Sequence, residues 1–224
     1  MLLLGPHNLA SSGLLVMRMT SSERRTGADM RERLLDLAED AVLAKGFGAT
    51  SVEELAAEAG ITKNGFFYHF PNKNALALAL LHRYVERDDA LFDDVLARGR
   101  ELSDDPLEAF LIALKLLAEA TADLPEKFPG CLVATFCYQE RLFDLEVHAL
   151  YHKIVLDWRS RFRSCLEAIC EHYDPREDID LDSVADMIST AIEGGMVLGR
   201  ATGDSKILPA QIEMVRICIR MLFR

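Results

Sequence analysis

A chain of 224 residues, half of them hydrophobic, is long enough to bury one small module and one medium domain, and its Ala-, Leu-, Glu- and Arg-rich stretches favour helix almost throughout. It has no uninterrupted run of about 18 apolar residues, which argues against a membrane span, and its five cysteines (Cys131, Cys137, Cys165, Cys170, Cys218) form no C-x-x-C pair, which argues against a zinc finger or a disulfide framework and for a reduced, cytoplasmic setting. The net charge of −11 excludes a molecule-wide nucleic-acid surface, yet residues 1–75 carry eight Lys or Arg against nine Asp or Glu, whereas residues 76–224 carry seventeen against twenty-seven. A local basic face with an acidic body turned away from phosphates is therefore compatible with the composition.

The first nineteen residues have apolar patches but no basic region ahead of them, and Gly5, Pro6, His7 and Asn8 break them, so they make a poor signal peptide. With Met17, Met19 and Met30 close behind, residues 1–26 read as a flexible tail or as a start codon placed too early, outside the folded core in either case. Arg18, Arg24, Arg25, Arg31 and Arg33 form either an arm for a minor groove or a solvated charge run. The first strong helix covers residues 30–46, with Leu34, Leu35, Leu37, Ala38, Ala41 and Val42 on one face and Gly46 as its stop. Thr50 or Ser51 then caps a short helix, and Ser51 with Glu54 has capping-box spacing. Gly60 ends that helix, Thr62 caps KNGFFYHF, and Asn72 after Pro71 caps a long helix from Lys73 to about residue 97. A helix opens behind Asp105 and Pro106, another covers CLVATFCYQERL, a long one spans about 144–173, and the last two run over about 180–201 and 208–222. The result is an all-α chain of about nine helices without strands.

Two short helices joined by a tight Gly-containing turn, after a longer amphipathic helix, make a helix-turn-helix. The segment FGATSVEELAAEAGITKNGFFYHFPNKNALALALL, within a match from about 31 to 80, resembles the DNA-binding domain of the TetR/AcrR family in spacing, caps and aromatic positions. The resemblance implies a DNA-binding domain over 27–75 and a ligand-binding and dimerisation domain over 76–224. It implies a homodimeric transcriptional regulator, commonly a repressor, that grips a double-stranded operator and answers to a small-molecule inducer. On this pattern Lys63, Asn64, Gly65 and Tyr68 face the major groove, and Thr50, Ser51, Thr62, Tyr68, His69 and Lys73 stand ready for phosphates, Lys73 foremost. Phe66, Phe67 and Phe70 read first as core.

For the second domain, Phe110, Leu114, Phe136, Tyr138, Trp158, Phe162 and Met196 are candidates for a cavity lining, with His148 and His152 one helical turn apart. The two histidines have ligand spacing but lack a third partner, so no metal or other cofactor is expected. Cys131, behind Pro129 and Gly130 at an expected helix start, is a second kind of candidate: the free N–H groups there lower a thiol's pKa, so it is either an ordinary buried cysteine or a sensor of electrophiles. By the resemblance, the last two helices pair with their mates across a two-fold axis, and Ile188, Ile192, Gly195, Met196, Gly199, Ile212, Val215 and Ile219 are the expected interface. An enzyme is disfavoured, since no nucleophile and base at motif spacing, no phosphate loop and no metal signature is present. A DNA-binding protein without a ligand stays open as an alternative.

Overall fold

A computed structural model describes residues 27–122 and 130–224. Residues 1–26, and with them the expected tail and Arg18, Arg24 and Arg25, lie outside the described residues. Nine α-helices are present among the described residues: α1 (Gly27–Lys45), α2 (Val52–Ala59), α3 (Lys63–His69), α4 (Lys73–Leu102), α5 (Pro106–Ala122), α6 (Leu132–Tyr138), α7 (Leu145–Cys170), α8 (Leu181–Thr202) and α9 (Ile207–Phe223). No strand occurs among them.

The helix ends follow from local chemistry. Ser51, Thr62, Asn72, Asp144 and Asp180 each turn a side-chain oxygen onto the backbone N–H three residues ahead, satisfying a donor that the first turn leaves open. Gly60 closes α2 in the left-handed region, at φ 74°, where a Cβ would be strained. Two boundaries differ from the sequence reading. Helix α4 runs five residues further, to Leu102, because Gly99 lets the backbone of α5 come close: a Cβ there would sit 2.3 Å from the Ala109 carbonyl oxygen. The single helix expected over CLVATFCYQERL breaks after Tyr138 into a 3-10 turn at Glu140–Leu142, where the chain bends to stack Phe143 on Phe136 with ring centroids 4.6 Å apart.

Two hydrophobic cores share helix α4. The first gathers Leu34, Leu35, Leu55, Phe66 and Phe70 from α1 to α3 with Leu76, Leu80 and Leu81 from the start of α4, and it continues into Leu132 and Phe136 of α6. The second gathers the far half of α4 with α5, α7, α8 and α9, and Met196 packs against both. An ion-pair network ties α1 to α4: Arg83 donates to Asp36 at 2.7 Å and to Glu39 at 2.6 Å, and Arg87 also reaches Glu39. Both Arg83 and Glu39 are largely buried, so this pairing orients the two helices more firmly than a surface pair would. Among the described residues no helix is long and apolar enough to cross a membrane.

Candidate nucleic-acid interface and ligand cavity

Helix α3 splits cleanly into two faces. Phe66 and Phe70 are fully buried against α1 and α4, which turns Lys63, Asn64, Phe67 and Tyr68 outward on two adjacent i, i+4 rows. Tyr68 is 83% exposed, and its ring stands edge-on to the His69 ring with centroids 5.1 Å apart. Phe67, read from sequence as core, is 37% exposed with the Lys63 ammonium 5.9 Å from its ring, so it belongs to the outward face. Lys63 also pairs with Glu53 of α2, and the ammonium holds that carboxyl below the usual carboxylate range. Arg31 and Arg33 are helical residues of α1: Arg31 lies over the Phe70 ring at 5.0 Å, and Arg33 donates to the Glu58 carbonyl.

Two expected phosphate contacts change character. Thr50 is buried at 1% exposure and donates its hydroxyl to the Gly46 carbonyl, so its side chain closes the end of α1 and does not face outward. Lys73 is half-buried: its ammonium donates to the Phe47 carbonyl at 3.0 Å and the Thr50 carbonyl at 2.8 Å and sits 4.5 Å from the Phe47 ring. Burial pulls its pKa down, and only one of its three N–H donors is left over for an outside oxygen. Ser51 and Thr62 remain exposed, as N-caps of α2 and α3 beside the outward face.

A cavity of about 640 Å³ opens between α4, α6, α7 and α8. Of the residues expected to line one, Cys131, Tyr138, Trp158, Phe162 and Met196 do so. The others do not. Leu114 is buried in the second core, and Phe110, also in that core, borders a separate cleft of about 480 Å³ with Arg100 and Arg161. Phe136 turns to the other side of α6, where it packs on Phe47 at 5.4 Å. His148 lies at the start of α7 with its Nε2 against the Glu140 carbonyl, and His152 is exposed. Among the described residues no group of three or more His, Cys, Asp or Glu is placed to hold a metal ion.

Sequence reasoning missed the polar part of the cavity. Tyr84, Asp88 and Phe92 recur every four residues along α4 and reach it together, as does Glu193 from α8. Asp88 accepts a hydrogen bond from Trp158 Nε1 at 2.8 Å, and burial pushes its carboxyl up to about 6. Burial also raises Glu193. The available signal was a carboxylate inside the otherwise apolar run AIEGGMVLG.

For Cys131 the structure favours an ordinary buried thiol over an electrophile sensor. The residue does cap α6, its sulfur accepting from Ala134 N–H at 3.4 Å. Burial and the nearby Glu193 carboxylate outweigh that donor, and the thiol is pushed up to about 12. The exposed thiol on the same cavity wall is Cys137.

The expected interface on α8 and α9 also needs correction. Ile188, Ile212 and Ile219 are completely buried within the chain, Val215 nearly so, and a Cβ on Gly195 would meet the Leu208 backbone at 3.0 Å. These residues hold α8 against α9 and α5 and cannot reach a partner. Ile192, Met196 and Gly199 are half-buried, and Ile192 and Met196 pack against the second core and line the cavity. A different stripe is exposed at spacings of three and four, Met187, Thr190 and Val197 on α8 and Ala210, Met214 and Met221 on α9, with half-buried Gly194 and Ile217 between them; Thr190, Gly194 and Val197 also border the mouth of the cavity. Both helices are thus apolar on two sides, which a helix at the surface of a lone chain would not be.

Comparison with known proteins agrees with this architecture. Residues 34–80 match the model for bacterial regulatory proteins of the tetR family. The HTH-type transcriptional regulator YxaF of Bacillus subtilis is 23% identical over 193 residues, covering 86% of this chain and 96% of its own. The HTH-type transcriptional regulator EthR of Mycolicibacterium smegmatis is 29% identical over 104 residues, 46% of each chain. Among solved structures, a TetR transcriptional regulator from Chloroflexus aurantiacus superposes with a TM-score of 0.73 at 22% identity over 89% of this chain and 98% of its own, a likeness of fold. Residues 34–80 thus form a tetR-type helix-turn-helix domain, carried on a chain that is similar along its length to an HTH-type transcriptional regulator and has the fold of TetR transcriptional regulators.

Proposed function

We propose that the chain is a cytoplasmic repressor that binds a palindromic duplex operator as a homodimer and leaves it when a small molecule fills the cavity between α4, α6, α7 and α8. Lys63, Asn64, Gly65, Phe67 and Tyr68 meet base edges in the major groove, with the Phe67 ring suited to a thymine methyl. Ser51, Thr62, His69 and the spare donor of Lys73 meet phosphates. The stripe through Met187, Gly194, Val197, Met214 and Met221 supplies the dimer contact, since one seven-residue helix reads too few base pairs and two-fold symmetry must supply the rest. The role is one of binding, and no residue is assigned to catalysis.

The observation that carries the ligand response is that α6 is a wall shared by cavity and DNA-binding domain. Its Cys131, Val133, Ala134 and Cys137 face the cavity. Its other side holds Phe136 against Phe47, and just beyond it Gln139 Oε1 accepts the Gly48 N–H at 2.9 Å. From α8, Arg200 donates to the Leu43 carbonyl at 2.9 Å. A ligand that displaces α6 therefore moves the turn between α1 and α2, and with it the spacing of two recognition helices. By linkage, operator binding weakens the ligand by the same factor.

Selection of bound fragments from the source genome tests this reading. The fragments should contain inverted repeats with half-sites one helical turn, about 34 Å, or a multiple apart. Tyr68→Ala should blur the sequence preference without lowering the melting temperature, and Phe67→Ala should blur it as well while lowering the melt somewhat, since its ring also packs on Phe66 with centroids 5.6 Å apart. Fragments without two-fold symmetry, or unchanged preference in both variants, would discard the assignment of α3.

A further inference from the structure

The cavity's chemistry is narrower than its shape. Among the described residues two carboxylates, Asp88 and Glu193, border it, and no Lys, Arg or His side chain does. Rings of Tyr84, Phe92, Trp158 and Phe162 make up much of the remaining wall. Arg161 pairs with Asp89 at 2.6 Å and lies over Phe92 at 5.3 Å; it attracts Asp88 through space without a hydrogen bond to it, and that attraction is outweighed by the burial of Asp88. Among the described residues Asp88 holds one donor, Trp158 Nε1, and Glu193 holds the thiol of Cys131, a weak one. Ordinarily a desolvated carboxylate acquires a cationic partner or several strong donors. In this cavity both stand short of that, among aromatic faces that attract cations.

We infer that the ligand is a lipophilic organic cation, a protonated amine or quaternary centre carried on an apolar body, whose charge is held by Asp88 and Glu193 while the aromatic wall receives the rest. This rests on the cavity being the ligand site. Both carboxyls are raised by burial, so an incoming positive charge relieves a cost already present in the empty protein, and an organic anion adds to it. The volume of about 640 Å³ suits a drug-sized molecule.

Trp158 is the chain's only tryptophan, so its fluorescence reports on the cavity without background from elsewhere. Titrating the full chain with tetraphenylphosphonium and, separately, with tetraphenylborate compares two ions of nearly equal shape and opposite charge. The cation should change Trp158 emission saturably and bind at least about tenfold more tightly than the anion. Glu193→Gln should cut that preference about tenfold or more while leaving the thermal melt cooperative. Equal or tighter binding of the anion in the wild-type chain would overturn the charge assignment and leave the cavity as a ligand site. Failure of both ions to bind saturably would overturn the charge assignment together with the cavity reading. Since the decisive comparison uses the unaltered chain, it stands even where a variant folds poorly.

Discussion

Met214→Glu separates the outward stripe of α9 from its buried one. Met214 is 51% exposed in the single chain, and full burial of a methionine side chain is worth roughly 1.5–3 kcal/mol. The half still in water is then worth about 1 kcal/mol per copy on dimerisation, or about 2 kcal/mol across a two-fold axis. A glutamate at that place would add the desolvation of two carboxylates, several kcal/mol each after relaxation. A loss of about 5–6 kcal/mol is a conservative total, and at 1.4 kcal/mol per decade it weakens the dimer about 10⁴-fold. The folded chain itself should hardly notice, because an exposed substitution away from the core usually costs within about 0.5 kcal/mol. Sedimentation velocity at micromolar concentration should show a folded monomer, and the same variant should lose affinity for a full palindrome more than for a half-site. The control is Ile212→Glu, two residues earlier and completely buried between α8 and α9, which should abolish the cooperative melt altogether. A Met214→Glu chain that remains dimeric and folded would refute the outward-stripe interface. Met214→Glu and Ile212→Glu chains that behave alike would refute the separation of the two faces.

Three further outcomes follow from the site geometry. Asp88 is raised to about 6 from 3.8, so the folded chain holds a proton there that the unfolded chain has released, and its stabilising contribution is present at pH 4 and lost as pH climbs to about 6. Asp88→Asn should therefore flatten stability between pH 4 and 6 relative to wild type and raise it at pH 7 by up to about 3 kcal/mol, as read by urea unfolding; an unchanged pH profile would show that Asp88 is not desolvated. Maleimide near neutral pH should label Cys137 well before Cys131, whose thiol reacts only on unfolding, and mass mapping that finds Cys131 first would restore a helix-start effect over burial. Lys73→Ala should lower the melting temperature in the absence of DNA, at a cost of about 1–3 kcal/mol for the two orphaned carbonyls of Phe47 and Thr50, and should also reduce the salt dependence of DNA binding by about one contact; a purely electrostatic role would leave the melt unmoved.

Local signals decided much of this protein before any tertiary contact was known. The caps Ser51, Thr62 and Asn72 and the Gly60 stop act within three or four residues, so the helix-turn-helix and its outward Asn64 and Tyr68 were legible in the sequence. Fold class was legible for the same reason, since helix propensity and periodicity sum along the chain.

Three things depended on the tertiary structure. On α8 and α9 both faces are apolar, so periodicity could not tell that Ile212 points inward and Met214 outward; only the neighbouring helices choose between them. Asp88 and Glu193 lie more than a hundred residues apart and face one cavity only because α4 and α8 converge on it. The pKa of Cys131 was set by burial and Glu193 against a favourable helix start, and Lys73 and Thr50 were drawn into sealing the end of α1. Each is a contest between a local term carried by the chain and a desolvation or packing term supplied by distant residues. The second is the larger wherever the group is buried.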